Sequence, residues 1–292
     1  MKNLRTWLMG GVLLMFTMMS GQVDASASNK AILVVSFGTS VAETRKLTIE
    51  ACEQKIQAAF PDYEVRRAFT SEKIISILKT RDQFFVDTPE EALQKLRQDG
   101  FTEVIVQPLH IIAGLEFHDV VKAAAPFRSA FQTLNVGMPL LAATDDYLRA
   151  AAALKAQLPE FTEGSAVVLM GHGTPHPANA AYLALQQVFA QVGMERVFIG
   201  TVEGYPELDD VIGQLKRANV RSVTLMPFML VAGDHALNDM AGDDNDSWKN
   251  RLTEAGFQVN AMLRGLGENP AIQDMYVQHV RHAIDGEKGG HE

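Results

Sequence analysis

The chain repeats itself. Residues 32–39 read ILVVSFGT and residues 167–174 read VVLMGHGT, while residues 104–114 read VIVQPLHIIAG and residues 223–233 read VTLMPFMLVAG. Each half carries an apolar strand ending in x-G-T and later a second apolar strand ending in P-x-x-x-x-A-G, the pattern of two related α/β lobes. The copies differ at two positions that matter. Phe37 in the first becomes His172 in the second, and Glu116, two residues past the first A-G, becomes His235. Open parallel sheets bind ligands outside the carboxyl ends of their strands, so the two imidazoles mark a site at the mouth of one lobe.

Between these strands, start and stop signals alternate. Ser40 and Glu43 have capping-box spacing and predict a helix through about Phe60, ended by Pro61-Asp62. Thr88-Pro89-Glu90-Glu91 predicts a second capped start, with Gly100 as its stop before a strand over 103–107. Strands over 63–69, 196–201, 221–227 and 257–262, helices from about Glu116, Pro177 and Pro206, and a last helix from Asn269-Pro270 complete the alternation. The fold class is α/β, two similar lobes, each a mostly parallel sheet flanked by helices. The expected division is a leader over 1–27, an N-terminal lobe over 28–150 and a C-terminal lobe over 151–292, with the last helix packing back on the first lobe.

Residues 1–27 read as a cleaved signal peptide. Lys2 and Arg5 precede an apolar run from Trp7 to Met19, too short to span a bilayer, and Ala25-Ser26-Ala27 supplies a small-x-small cleavage site. The expected location is the periplasm, with no membrane segment in the mature form. The net charge is −9, and losing Lys2, Arg5 and Asp24 with the leader makes it more negative, which argues against a nucleic-acid partner. Cys52 is the only cysteine, so intrachain disulfides, thiolate zinc sites and C-x-x-C-H haem attachment are excluded. Within T-I-E-A-C-E-Q-K-I it reads as a small buried apolar residue.

In M-G-H-G-T-P-H-P, glycines flank His172 and clear space beside its imidazole. Whether it is a ligand or a hydrogen-bonded turn residue is even on the motif alone. Pro175 and Pro177 keep His176 off a shared helical face, leaving it a supporting role. The acids around His235, in V-A-G-D-H-A-L-N-D-M-A-G-D-D-N-D, lack EF-hand spacing and read as helix caps and solvated turns. Glu203, in T-V-E-G-Y-P at the end of a strand, is the best-placed carboxylate to join His172 and His235; otherwise it caps a helix near Pro206. Two imidazoles and a carboxylate suit a divalent first-row metal. His110 is either a buried hydrogen-bonded histidine or a substrate contact, His118 a surface residue at a helix start, and the pair His279 and His282 solvated. No Walker A, G-x-G-x-x-G or G-x-S-x-G sequence is present.

S-F-G-T at 36–39, R-A-F-T-S at 67–71, M-G-H-G at 170–173, V-E-G-Y-P at 202–206, L-V-A-G-D-H-A-L-N-D-M at 230–240 and G-L-G-E-N-P at 265–270 closely resemble the anaerobic cobalt chelatases, the sirohydrochlorin cobaltochelatases of class II. The resemblance runs over essentially the whole mature chain. It implies two α/β lobes around a cleft, no ATP requirement, and a metal held by His172, Glu203 and His235. The implied reaction inserts Co²⁺, with Fe²⁺ a neighbour in ligand preference, into sirohydrochlorin for cobalamin or sirohaem synthesis, releasing two protons. His172 and His235 would deliver the metal and accept protons, with Glu203 orienting it. Arg45, Arg66 and Arg67 are either contacts for the macrocycle's carboxylates or solvated surface residues. A homo-oligomer is expected. Chelatases of this kind are expected in the cytoplasm, whereas this chain carries an export signal. The alternative is therefore a periplasmic carrier of metal or tetrapyrrole, haem included, that keeps the cleft, with His118, ahead of His110, as an axial ligand shared across an oligomer interface.

Overall fold

The computed structural model describes residues 29–286. The leader over 1–27 and His291 lie outside them. Two four-stranded sheets carry the chain, and every strand pair in them is parallel. The first contains β1 (Lys30–Ser36), β2 (Glu64–Phe69), β3 (Glu103–Pro108) and β4 (Thr133–Val136), in spatial order β2-β1-β3-β4. The second contains β5 (Ser165–Gly171), β6 (Val197–Thr201), β7 (Ser222–Pro227) and β8 (Gln258–Ala261), in order β6-β5-β7-β8. The duplication in the sequence is thus a duplication of topology. Because the strands are buried on both faces, the central ones read as continuous apolar runs, as in Ala31–Val35.

The helices connecting the strands are α1 (Ala42–Leu47), α2 (Ile49–Ala59), α3 (Glu72–Asp82), α4 (Pro89–Gln98), α5 (Leu115–Ala124) and α6 (Thr144–Lys155) in the first part of the chain. They continue as α7 (Ala180–Gln191), α8 (Leu208–Arg217), α9 (Trp248–Glu254) and α10 (Pro270–Asp285). At α4 the expected capping box forms: Thr88 Oγ1 accepts from Glu91 N at 3.3 Å, and the Glu91 carboxylate accepts from Thr88 N at 3.0 Å. At Ser40 it does not. The helix starts at Ala42 behind Val41, and the Ser40 carbonyl accepts instead from the Arg81 guanidinium. The expected single helix to Phe60 is also split at Thr48, whose φ of −119° distorts the helical turn while its hydroxyl donates to Thr44 O at 2.6 Å. The 265–268 turn packs closely against that break, with Gly267 against Thr48.

Three apolar clusters order the layers. One lies outside the first sheet, under α4 and α5, and another outside the second, under α8 and α9. The largest lies between the sheets and joins both lobes, from Ile32, Ile49 and Leu109 to Leu169, Phe189 and Tyr276. Burying one such aliphatic or aromatic side chain contributes roughly 1.5–3 kcal/mol. α10, a C-terminal element, belongs to this shared layer and reaches the first lobe: Tyr276 OH donates to Leu109 O at 3.0 Å, and Asn135 Nδ2 donates to Ala283 O at 2.8 Å. His279, expected to be solvated, is 5% exposed and bridges layers. Its Nε2 lies 3.3 Å from Asp146 Oδ1 and its Nδ1 3.1 Å from Met138 O. Cys52 is fully buried, and burial pushes its thiol up to about 12, so it is an inert core residue.

Candidate metal site

Both lobes turn their strand carboxyl ends toward one cleft of about 630 Å³. In each sheet the central pair, β1 with β3 and β5 with β7, is where the connections diverge to opposite sides, the switch point that leaves a crevice open. The segments that follow these strands, around residues 37–41, 109–116, 172–175 and 228–235, form its walls.

His172 leaves β5 in a turn that only glycine permits. Gly173 has φ +81°, and a Cβ there would meet Gly204 N and Thr201 Cβ at 2.8 Å. That close approach ties two segments together: Glu203 N donates to His172 O at 2.8 Å, and Asn179 Oδ1 accepts from Thr174 N at 3.1 Å while its Nδ2 donates to Tyr205 O at 2.6 Å. His172 and Glu203 are therefore neighbours by backbone construction. Nδ1 of His172 lies 3.0 Å from Gly173 O and 4.0 Å from Glu203 Oε2. A carbonyl only accepts, so Nδ1 carries the hydrogen and Nε2 offers its lone pair.

His235 comes from the other side, on the turn before a short π-helix, Ala236–Met240. Its ring centroid lies 4.9 Å from that of His172, edge to face. Asp239 Oδ2 lies 2.5 Å from its Nδ1, which fixes the tautomer and leaves Nε2 free. Reading the acids of this segment as caps and turns missed Asp239. Its signal was the i, i+4 spacing in H-A-L-N-D. His172, Glu203 and His235 thus line one cleft, and among the described residues no three His, Cys, Asp or Glu side chains close into a finished metal shell.

The whole described fold matches the family model for cobalt chelatase (CbiK), over residues 30–285. The chain belongs to the CbiK family. A sirohydrochlorin cobaltochelatase of Salmonella typhimurium is 48% identical over 257 residues, covering 88% of this chain and 97% of the relative. The sirohydrochlorin cobaltochelatase CbiKC of Nitratidesulfovibrio vulgaris is 38% identical over 264 residues, covering 88% and 91%. Among solved structures, SirB from Bacillus subtilis with Fe3+ superposes with a TM-score of 0.62 at 16% identity, over 88% of this chain and 96% of that one. It carries the same two-lobed class II chelatase fold.

Two further groups of this CbiK-family chain enter the cleft from the first lobe. His110 is 8% exposed at its side chain and has no hydrogen-bond partner on either ring nitrogen, with Glu116 Oε2 3.4 Å from its Nε2. Burial pushes the Glu116 carboxyl up, but the imidazoles of His110 and, from the second lobe, His172 outweigh it and hold the group below the usual glutamate range. Glu116 therefore stays ionised facing the histidines. His176 does not join them: its Nδ1 accepts from Ala178 N at 3.1 Å, which leaves a hydrogen and no lone pair on Nε2. His118 sits exposed on α5, its ring against His176 and Phe117 with centroids 5.0 and 5.6 Å away, and is not on the cleft wall.

The expected arginines are engaged elsewhere. Arg67 is held by Glu53 and Glu50, Arg66 by Glu64 and Asp99, and Arg45, only 8% exposed, by Glu50 with its guanidinium over Phe84. None of them lines the cleft, and Arg45 and Arg67 are too enclosed to be solvated surface residues.

Proposed function

We propose that this chain inserts Co²⁺ into sirohydrochlorin without ATP, releasing two protons, with His172, Glu203 and His235 handling the metal. The observation that carries this reading is the convergence of two imidazoles, each with Nδ1 held by a hydrogen-bond acceptor and Nε2 unblocked, in a cleft of about 630 Å³. Chain membership in the CbiK family and relatives named sirohydrochlorin cobaltochelatase support the substrate pair. Fe²⁺ is the neighbouring candidate metal, since imidazole and carboxylate donors suit both ions.

The metal is substrate here, so its donors must let go. An exposed set of two histidines and one glutamate binds an aquated ion weakly and can pass it to the four ring nitrogens. Glu203 orients the ion and offsets its charge. As the metal moves to the ring, the Nε2 atoms of His172 and His235 become free bases within reach of the departing pyrrole protons. His110 and Glu116, across the cleft, provide further acceptors.

The test is anaerobic and optical. Sirohydrochlorin changes its absorbance on metallation, so rates with Co²⁺ are compared with and without protein and with Glu203→Gln. The account expects ATP-independent acceleration, reduced at least tenfold by the substitution, one order of magnitude being about 1.4 kcal/mol of lost transition-state stabilisation. Equal rates with and without protein would refute it. Residues 1–27 support export to the periplasm. Cell fractionation that finds the protein full-length in the cytoplasm would refute that part alone.

A further inference from the structure

The two lobes have also diverged just before the His172 position, and the first lobe contributes polar groups to the cleft that metal handling does not use. Where the second lobe has Gly171 beside His172, the first has Ser36 beside Phe37. Ser36 is 2% exposed, its Oγ has no hydrogen-bond partner, and it lines the cleft. An unsatisfied buried hydroxyl costs about 1–3 kcal/mol, so a ligand atom that accepts its hydrogen is favoured there.

The start of α3 stands beside it. Thr70 N donates to Ser36 O at 2.9 Å and Ser71 N to Phe37 O at 3.3 Å, drawing the helix N-terminus onto the end of β1. Ser71 caps the helix, its Oγ accepting from Ile74 N at 3.3 Å, and Ser71 and Lys73 both line the cleft. The first turn of an 11-residue helix carries partial positive charge, and Glu72, the acid in that turn, is exposed and lies off the cleft wall. Lys73 adds a full positive charge. Among the described residues it is the only lysine or arginine on the cleft wall, and no carboxylate pairs with it. Arg45, Arg66, Arg67 and Arg81, by contrast, are all paired with acids. A protein of net charge −9 that takes a polycarboxylate needs such local attraction.

We propose that Ser36, Lys73 and the first turn of α3 form a carboxylate subsite that grips one acidic arm of the macrocycle. The grip fixes the ring's rotation in the cleft and so places its central nitrogens toward His172 and His235. This rests on the chelatase reading. The duplicated halves then divide the labour: the second lobe presents the metal and the first holds the acid.

Lys73→Gln, Lys73→Arg and Ser36→Ala are compared with wild type for the KM of sirohydrochlorin and of Co²⁺, and for sirohydrochlorin binding by fluorescence quenching. Losing one charge-assisted contact should raise the sirohydrochlorin KM and Kd of Lys73→Gln about tenfold. The KM for Co²⁺ should not move, Lys73→Arg should recover most of the loss, and Ser36→Ala should show the same pattern more weakly. An analogue with its acetate arms reduced to methyl groups should bind wild type more weakly and Lys73→Gln with little further loss. Unchanged sirohydrochlorin KM and Kd in Lys73→Gln overturn the subsite. Wild type that binds sirohydrochlorin but inserts no cobalt counts against the chelatase reading alone, since the Kd values still report on the subsite; wild type that binds none overturns both.

Discussion

Asp239 shows how much of the site depends on a residue that would not touch the metal. Its carboxylate holds Nδ1 of His235 at 2.5 Å and leaves Nε2 as the nitrogen with a lone pair. Such partners typically set metal affinity within a factor of 10–100, so Asp239→Asn should weaken Co²⁺ binding by about that range, read by titration calorimetry, with its thermal midpoint within a degree or two of wild type. Gly173 is the backbone counterpart. Alanine there forces a left-handed conformation and a clash with Gly204 N, and should cost roughly 1–3 kcal/mol in thermal unfolding while slowing chelation by displacing Glu203. That His172, His235 and Glu203 would line one cleft was legible in the sequence because each follows a recognisable strand. Asp239 was hidden among six neighbouring acids and amides. The arginines were misplaced because charge alone does not reveal which carboxylate a guanidinium meets: Arg45 is met by Glu50 and Arg67 by Glu53.

At the level of elements, strands and capped helices with strong local signals stood out, as at Thr88 and Asn269, where Asn269 Oδ1 accepts from Ala271 N at 2.9 Å. The elements that escaped have weak ones. β4 is a four-residue edge strand, half-buried throughout, with no apolar run to announce it, and the break at Thr48 answers to a turn more than two hundred residues away. The joint between α6 and α10 is likewise tertiary. Burial pushes the Asp146 carboxyl up, but His279 and the amides of Ala142 and Ala143 outweigh it and hold it below its ordinary value of 3.8. A lowered folded pKa means that this contribution to stability is complete above the unfolded value and is lost as pH falls from there through the folded one. Removing the histidine leaves the buried Asp146 Oδ1 without its partner, while Oδ2 keeps the amides of Ala142 and Ala143. His279→Leu should therefore destabilise the protein by roughly 1–3 kcal/mol, measured by urea denaturation, and the deficit should shrink as pH falls through the carboxylate range and Asp146 is protonated.

Over the whole molecule, the duplication made two lobes legible and the last helix was expected to pack back on the first, while the extent of the layer that fuses them was not. Periodicity shows that a helix has an apolar face and not which sheet it covers, so the shared layer between the sheets could not be read from the pattern. That layer makes each lobe depend on the other. A chain ending at residue 268 loses Ile272, Met275, Tyr276 and Val280 from the central cluster, and is expected to lack near-ultraviolet circular dichroism and to aggregate under conditions where the chain with α10 keeps its near-ultraviolet signal. Fusion also explains the cleft, since a common core holds the two mouths in register, one with the histidine pair and one with Ser36 and Lys73. The most direct test of the account is the initial rate of Co²⁺ insertion into sirohydrochlorin by wild type, His172→Ala and His235→Ala, each with its sirohydrochlorin Kd. The account predicts losses of about a hundredfold or more in rate, equivalent to some 2.7 kcal/mol, at nearly unchanged Kd. Wild-type rates in both variants would show that the histidine pair is not where the metal is handled.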